Sequence, residues 1–115
     1  MKNYIYNTPF ILESGETIDA LHIAYHTFGS LNKCGDNVIV VFHAISGDSD
    51  VMSWWPGLFG DGCLYNMDDY FIICANAIGS PFGSSKPQDL SFPVFTVRDV
   101  VSAHLLLFAA LEIKH

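Results

Sequence analysis

Two unbroken apolar runs dominate the pattern of this chain: VIVVF at 38–42 and YFIICAN at 70–76. Neither shows polar alternation, and both are bounded by turn residues. Runs of this length predict strands buried on both faces, as in the middle of a parallel sheet. Upstream, the pattern changes to a period of two. Thr17 to Thr27 places Leu21, Ile23 and Tyr25 on one face and His22, Ala24 and His26 on the other. With Phe10 to Leu12 and the turn Glu13-Ser14-Gly15-Glu16, this predicts an antiparallel hairpin at a sheet edge. Downstream the period becomes helical. Val97, Val100, Val101, His104, Leu105, Phe108 and Leu111 share that spacing, and Thr96 with Asp99 forms a capping-box pair at its start. Leu106, Leu107, Ala109 and Ala110 extend the apolar surface nearly all round, so both sides of this helix are expected to be buried.

The intervening stretches are loops. FGSLNKCGD at 28–36 is rich in Gly, Asn and Asp. WWPGLFGDGCLYN at 54–66 carries three glycines and a proline, which limits it to a short helical turn at 55–59. The small-residue loop AIGSPFGSSKPQDLSFP spans 77–93. The order is hairpin, buried strand, short helix, buried strand, long helix. Two buried strands joined by a crossover predict an α/β layered fold. With only these strands, the sheet reads as incomplete, and residues 1–115 as the front portion of a single larger domain of marginal stability on its own.

Composition narrows the function classes. The chain has 115 residues, 50% apolar and 15% charged, which fits a folding chain with one core. Its formal net charge of −7 and the scatter of Lys2, Lys33, Lys86, Arg98 and Lys114 argue against nucleic acid or an anionic membrane as partner. MKNYIYNTPF lacks a signal-peptide pattern. Cys34, Cys63 and Cys74 form neither an even set nor a close pair. These features predict a cytoplasmic protein with reduced thiols.

The main candidate chemistry lies where the first buried strand ends. HAISGDS at 43–49 turns sharply on small residues, at the edge where open α/β sheets place ligands. Such a turn either offers backbone N–H groups to a developing oxyanion, with Ile45 N–H as one donor and Asp48 and Ser49 shaping the turn, or is an ordinary connection capped by Ser46, Asp48 or Ser49. Other candidates are weaker. The stretch 79–86 faintly echoes a phosphate loop, but its glycine spacing is one residue short and Ser84-Ser85 separate Gly83 from Lys86. It reads better as a loop lining a pocket mouth. Asp48, Asp50, Asp61, Asp68 and Asp69 lack the offsets of a calcium loop and read as a solvated rim. His22, His26, His43 and His104 lack metal-ligand spacing, and no metal is expected. His43 is expected to hydrogen-bond within the turn. Cys63 and Cys74 are flanked by apolar residues, as buried structural thiols are. There is no G-x-S-x-G, so no serine here is a credible nucleophile.

Four stretches in order, HAISGDSD (43–50), WWPGLFGDG (54–62), YFIICANAIGSPFGSSKP (70–87) and FPVFTVRDVVSAHLLL (92–107), resemble the front part of homoserine O-acetyltransferases. These are α/β-hydrolase-fold acyltransferases of methionine biosynthesis, and the similarity runs from about Phe10 to the end. The resemblance implies the front half of an α/β-hydrolase fold: an N-terminal hairpin, two buried parallel strands, crossover helices and an incomplete sheet. It implies a ping-pong reaction in which a serine takes an acyl group from acyl-CoA (acetyl-CoA) and passes it to the homoserine hydroxyl. It assigns Ile45 to the oxyanion hole through its backbone N–H. His43, Ala44, Gly47, Asp48, Gly79, Ser80, Gly83 and Ser84 fall in loops near the active-site tunnel, and Trp54 and Trp55 are packing residues. The resemblance implies no bound cofactor, homoserine and acyl-CoA as small-molecule partners of the full-length enzyme, and a homodimer. The nucleophile, the catalytic Asp and His and the lid lie beyond this chain, which alone is expected to be inactive. Asp50 stands where relatives often carry His, and Ser85-Lys86 where many carry Thr-Gly. Two other readings keep the ancestry: a non-catalytic binding or assembly module, or an acyltransferase or hydrolase with another acceptor.

Overall fold

A computed structural model describes residues 1–87 and 92–113. Residues 88–91 of the expected 77–93 loop, and 114–115, lie outside the described residues. The elements are β1 (Lys2–Tyr6), β2 (Phe10–Ile11), β3 (Thr17–Ile18), β4 (Leu21–Phe28), β5 (Val38–Val41), α1 (Val51–Trp54), β6 (Phe71–Ala75) and α2 (Val97–Ala110). Four strands form one mixed sheet in the order β1-β4-β6-β5, and β2 pairs with β3 in a separate two-stranded sheet. β5 and β6 are parallel, with Val41 beside Cys74; β4 runs antiparallel to both β1 and β6.

The expected hairpin is divided. Phe10 pairs with Ile18 and Ile11 with Thr17, but the chain then breaks at 19–20 and β4 begins anew. The partner of β4 on its outer side is β1, so β4 is an interior strand and not a sheet edge. Leu21, Ile23 and Tyr25 are buried in the core beneath α2, as their spacing predicts; on the other face His22 is exposed but Ala24 is fully buried.

Of the two apolar runs, only one has the burial its sequence predicts. In β6, Ile72, Ile73 and Cys74 have no exposed surface. Ile73 and Ala75 face a core built with β4 and α2, whereas Ile72 packs with Val51 and Phe59 on the other side of the sheet. Among the described residues β5 instead lies at the sheet's edge, every residue only half-buried, and Phe42 just beyond it is 63% exposed. An apolar run reports that both faces are to be covered; it carries no information on whether both edges are paired.

The crossover helix is also displaced from 55–59 to Val51–Trp54. The residue before a proline is driven out of helical conformation, so the helix ends before Trp55-Pro56. Gly57 and Gly60, at φ +95° and +123°, then keep the following chain irregular.

α2 starts where its cap pattern predicts. Thr96 Oγ1 accepts from Asp99 N–H, and Asp99 Oδ2 accepts from Thr96 N–H at 2.8 Å. Asp99 Oδ1 also accepts from Glu13 N–H at 2.9 Å, and Thr96 Oγ1 donates to the Glu13 carboxylate, so the cap fastens the β2–β3 turn to the helix. Burial opposes the Asp99 charge, but the hydrogen bonds from Thr96 and Glu13 outweigh it and hold the carboxyl below its usual value. Thr96→Ala is expected to lower stability by about 1 kcal/mol, read as a shift in the urea midpoint at constant m. The helix is not buried all round: Ala103 and Leu107 are fully enclosed, but Val97, Val101 and Leu105, one turn apart, are exposed.

Candidate functional site at the carboxyl edge of the parallel strands

Because β5 and β6 are parallel neighbours, their following loops leave the same edge of the sheet. The first loop turns at once. Gly47 N–H donates to Ala44 O at 2.8 Å, closing a β-turn with Ile45 and Ser46 at its tip. Ile45 N–H has no acceptor among the described residues, and its side chain is fully exposed. The outgoing limb is fixed twice: Asp50 N–H donates to Asp48 Oδ1 at 2.9 Å, and the Trp54 indole N–H donates to Asp48 O at 3.0 Å.

His43 joins the two loops. Its Nε2 accepts from Ala77 N–H at 3.1 Å, so Nδ1 carries the proton and donates to Ala44 O at 2.7 Å. The ring thereby makes two hydrogen bonds, one within the turn as expected and one across to the β6 loop.

The second loop is sewn to β4. Ser85 N–H donates to His22 O and His22 N–H to Ser85 Oγ, both at 2.9 Å. Ser84, buried, accepts from Ala24 N–H at 3.0 Å and donates to Asn76 O at 2.7 Å. Gly83, at φ +99°, lies so close to β4 that a Cβ there would stand 2.8 Å from that of Ala24. Gly79 N–H donates to Ser85 O at 2.7 Å, and Ser80 Oγ accepts from Phe82 N–H at 3.3 Å. The serines of this loop therefore satisfy backbone groups that strand pairing would otherwise satisfy.

Beneath both loops lies a buried polar cluster. Asn76 Nδ2 donates to Ser49 Oγ at 2.7 Å and to Ala24 O at 3.1 Å, and Ser49 Oγ meets His26 Nδ1 at 2.7 Å. Asn76 and Ser49 are fully enclosed. Sequence reading passed over this cluster because Asn76 ends an apolar strand. The signal was the asparagine itself, which cannot be buried there without partners.

A cleft of about 360 Å³ opens beside the first loop, lined by Ala44, Ser46, Gly47, Asp48, Ser53 and Trp54. Of the residues expected near a tunnel, Ala44, Gly47 and Asp48 line it. His43 stands behind it as the brace, and Gly79, Ser80, Gly83 and Ser84 belong to the loop fastened to β4. Ser46, Ser53 and Trp54 were not foreseen as lining. Trp54 pairs with Trp55 in a stacked contact, so its packing role is present alongside its hydrogen bond.

Cys74 is enclosed, and burial, aided by the Asp48 charge, pushes its thiol up to about 12, which removes it as a nucleophile. Cys63 is only half-buried and Cys34 exposed. His104, on α2, is 4% exposed; its ring stacks on Phe42, and Nε2 has no partner among the described residues. Burial pushes its pKa down, against a smaller upward pull from the Asn76 carbonyl, and nearby His43 adds to the depression. Between the folded and unfolded values the unfolded chain binds the extra proton. Stability is thus fully present above about pH 6.5 and lost as pH falls through the folded value, at up to ~1.4 kcal/mol per pH unit. His104→Leu is expected to flatten this part of the pH–stability curve, measured as urea midpoints between pH 7.5 and 5.5. Among the described residues no three His, Cys, Asp or Glu groups are placed to hold a metal, and no helix is long and apolar enough to cross a membrane.

A mixed sheet with a strand-turn oxyanion candidate at the carboxyl edge of its parallel pair defines the α/β-hydrolase class. Solved structures agree. Esterase E22 superposes with a TM-score of 0.83 at 22% identity, covering 97% of this chain and 38% of that protein, a likeness of fold alone. Homoserine O-acetyltransferase from Staphylococcus aureus superposes with a TM-score of 0.81 at 35% identity, covering 96% of this chain and 35% of the other. No protein-family model matches the chain. Among curated proteins, it is 39% identical over 123 residues to homoserine O-acetyltransferase of Chlorobium luteolum, covering 96% of this chain and 34% of that protein. It is 42% identical over 114 residues to that of Saccharomyces cerevisiae, covering 90% and 24%. By sequence the chain is similar to homoserine O-acetyltransferases over 90–96% of its own length. It spans between about a quarter and a third of the length of these curated relatives.

Proposed function

We propose that this chain supplies the oxyanion-binding wall of a homoserine O-acetyltransferase. The observation that carries this is the Ile45 N–H at the turn after β5, which has no acceptor among the described residues and is held in place by the His43 brace to the β6 loop. A preorganised backbone donor of this kind stabilises the tetrahedral oxygen of acyl transfer without reorganising during the reaction. The reaction is ping-pong. A serine outside this chain attacks the acyl carbonyl of acetyl-CoA; the C–S bond breaks, CoA leaves as the thiol, and a serine ester forms. The homoserine hydroxyl then attacks that ester, the serine oxygen leaves with a proton, and O-acetylhomoserine is released towards methionine synthesis. Ile45 N–H holds the carbonyl oxygen in both halves. The nucleophile, its Asp and His, and the lid come from the part of the family protein that this chain does not span. The chain by itself is therefore inactive, and the working enzyme is a cytoplasmic homodimer.

The test is a chimaera in which this chain replaces the matching stretch of the Staphylococcus aureus enzyme. The expected result is a folded protein that forms O-acetylhomoserine from acetyl-CoA and homoserine. A folded chimaera that makes none refutes the proposal. One that only releases acetate to water favours the esterase chemistry named for several structural neighbours.

A further inference from the structure

We infer that the buried Ser49 hydroxyl, clamped by Asn76 and His26, is a positioning residue for the oxyanion turn and acts on acyl transfer through the Ile45 N–H. This rests on the acyl-transfer reading above and adds the group that sets where its donor stands. A short turn aims a backbone N–H only if both of its limbs are fixed. The incoming limb is fixed by β5, whose Val41 lies beside Cys74, and by His43 Nε2, which accepts from Ala77 N–H. The outgoing limb is tied to the same place, because Ser49 Oγ accepts from Asn76 Nδ2 at 2.7 Å. Both ends of the stretch from His43 to Ser49 are thus held by one dipeptide, Asn76-Ala77, at the end of β6.

That dipeptide is itself anchored. Asn76 N–H and Nδ2 both donate to Ala24 O, at 2.9 and 3.1 Å, and Asn76 O accepts from Ser84 Oγ at 2.7 Å. On its other side Ser49 Oγ meets His26 Nδ1 at 2.7 Å, and the His26 ring stacks on Phe28. One hydroxyl therefore joins the turn to β4 and to β6. The ordinary uses of a serine do not account for it. Ser49 does not cap α1, whose cap residue is Asp50 and has no side-chain cap bond. Nor does stability call for it, since enclosed polar partners can often be replaced by apolar groups of the same shape at little cost. What the contact adds is a single geometry: any slide of the loop would leave the fully enclosed hydroxyl without partners. Acyl transfer is sensitive on this scale, because a misplacement of about 1 Å can cost ~10²-fold in rate.

Ser49→Ala in the active chimaera deletes the hydroxyl, while Asn76 Nδ2 keeps Ala24 O and the half-buried His26 can turn to water. The expected result is a ~10-fold fall in kcat, with KM for acetyl-CoA and homoserine within about twofold. His26→Phe keeps the stack on Phe28 and deletes the ring nitrogen; it is expected to act in the same direction, and it carries the test if Ser49→Ala does not fold. The decisive readout is made in a chimaera that already carries Ile45→Pro. A hydroxyl that works through the Ile45 donor has nothing left to position there, so the same change costs less than about twofold, whereas general loosening lowers kcat equally in both backgrounds. Equal losses in the two backgrounds, or no loss in either, would overturn the inference. The ¹⁵N-labelled chain reads the clamp apart from the chemistry. Ser49→Ala is expected to speed amide exchange at Gly47, whose N–H closes the turn, several-fold and to leave Gly15, which closes the β2–β3 turn, unchanged. Unchanged exchange at Gly47 also counts against the clamp. Faster exchange at Gly47 beside a chimaera that makes no product supports the clamp and removes the acyl-transfer reading. Product formation with a kcat indifferent to Ser49→Ala does the reverse.

Discussion

Ile45→Pro in the active chimaera is expected to lower kcat for acetyl transfer by about 10²–10³-fold, the loss typical of deleting one oxyanion donor. The substitution suits this place because the turn itself tolerates it. Ile45 is the second residue of the Ala44–Gly47 turn, the position at which proline's fixed φ is favoured, and its N–H has no acceptor among the described residues. Proline thus removes the donor and leaves the Gly47 N–H to Ala44 O bond available. Binding of substrates, measured as KM or by trapping the complex, is expected to change far less than kcat, since the donor acts on charge that develops in the transition state. Ile45→Ala is the companion measurement. It truncates the fully exposed side chain and keeps the N–H, so its kcat stays within a few-fold. If proline and alanine behave alike, the backbone donor at Ile45 has no part in the chemistry.

Gly29→Ala has the largest expected effect on stability. Gly29 ends β4 at φ +82°, where an L side chain is strained by ~1–3 kcal/mol. Space makes the change worse. A Cβ there would lie 2.2 Å from Tyr70 O and 2.8 Å from Met67 O, and both obstacles are backbone atoms that no rotamer change moves aside. The chain entering β6 would have to shift, which pulls on the β4–β6 pairing. The expected cost is roughly 3–5 kcal/mol, most of a small domain's stability. Urea unfolding followed by circular dichroism gives the value. Gly15→Ala is the control: Gly15 has a similar φ of +88° but nothing within 4 Å of the added carbon, so it should cost only the backbone strain. Equal losses at the two sites would show that the contact at Gly29 is relieved cheaply.

The sequence was most readable where one local signal decides the structure. Thr96 and Asp99 mark the start of α2 because a capping box needs only two residues three apart. Leu21, Ile23 and Tyr25 mark the buried face of β4 because a two-residue period has one reading. It was least readable where position in the sheet decides. Nothing in VIVVF distinguishes an edge strand from a central one, since its side chains report on faces and not on edges. β1 was missed for a related reason: KNYIY is polar and short, and becomes a strand through pairing with β4. At the site, the oxyanion turn could be placed by its small residues and by resemblance. The His43 bridge, the Asn76–Ser49–His26 cluster and the Trp54 wall could not, because each joins residues from separate segments that only the fold brings together.

The strand order also sets a schedule for synthesis. Among the described residues β5 pairs only with β6, which follows it in the chain, so the VIVVF segment has no sheet partner among them when it leaves the ribosome. β6 emerges roughly 35 residues later, an interval of roughly 2–7 s at ~5–20 residues per second. Through that interval an apolar strand segment is exposed, beside a turn braced by the hydrogen bond between His43 and Ala77. Slowing elongation between β5 and β6 should therefore lower the yield of native protein, whereas slowing it after β6 should not.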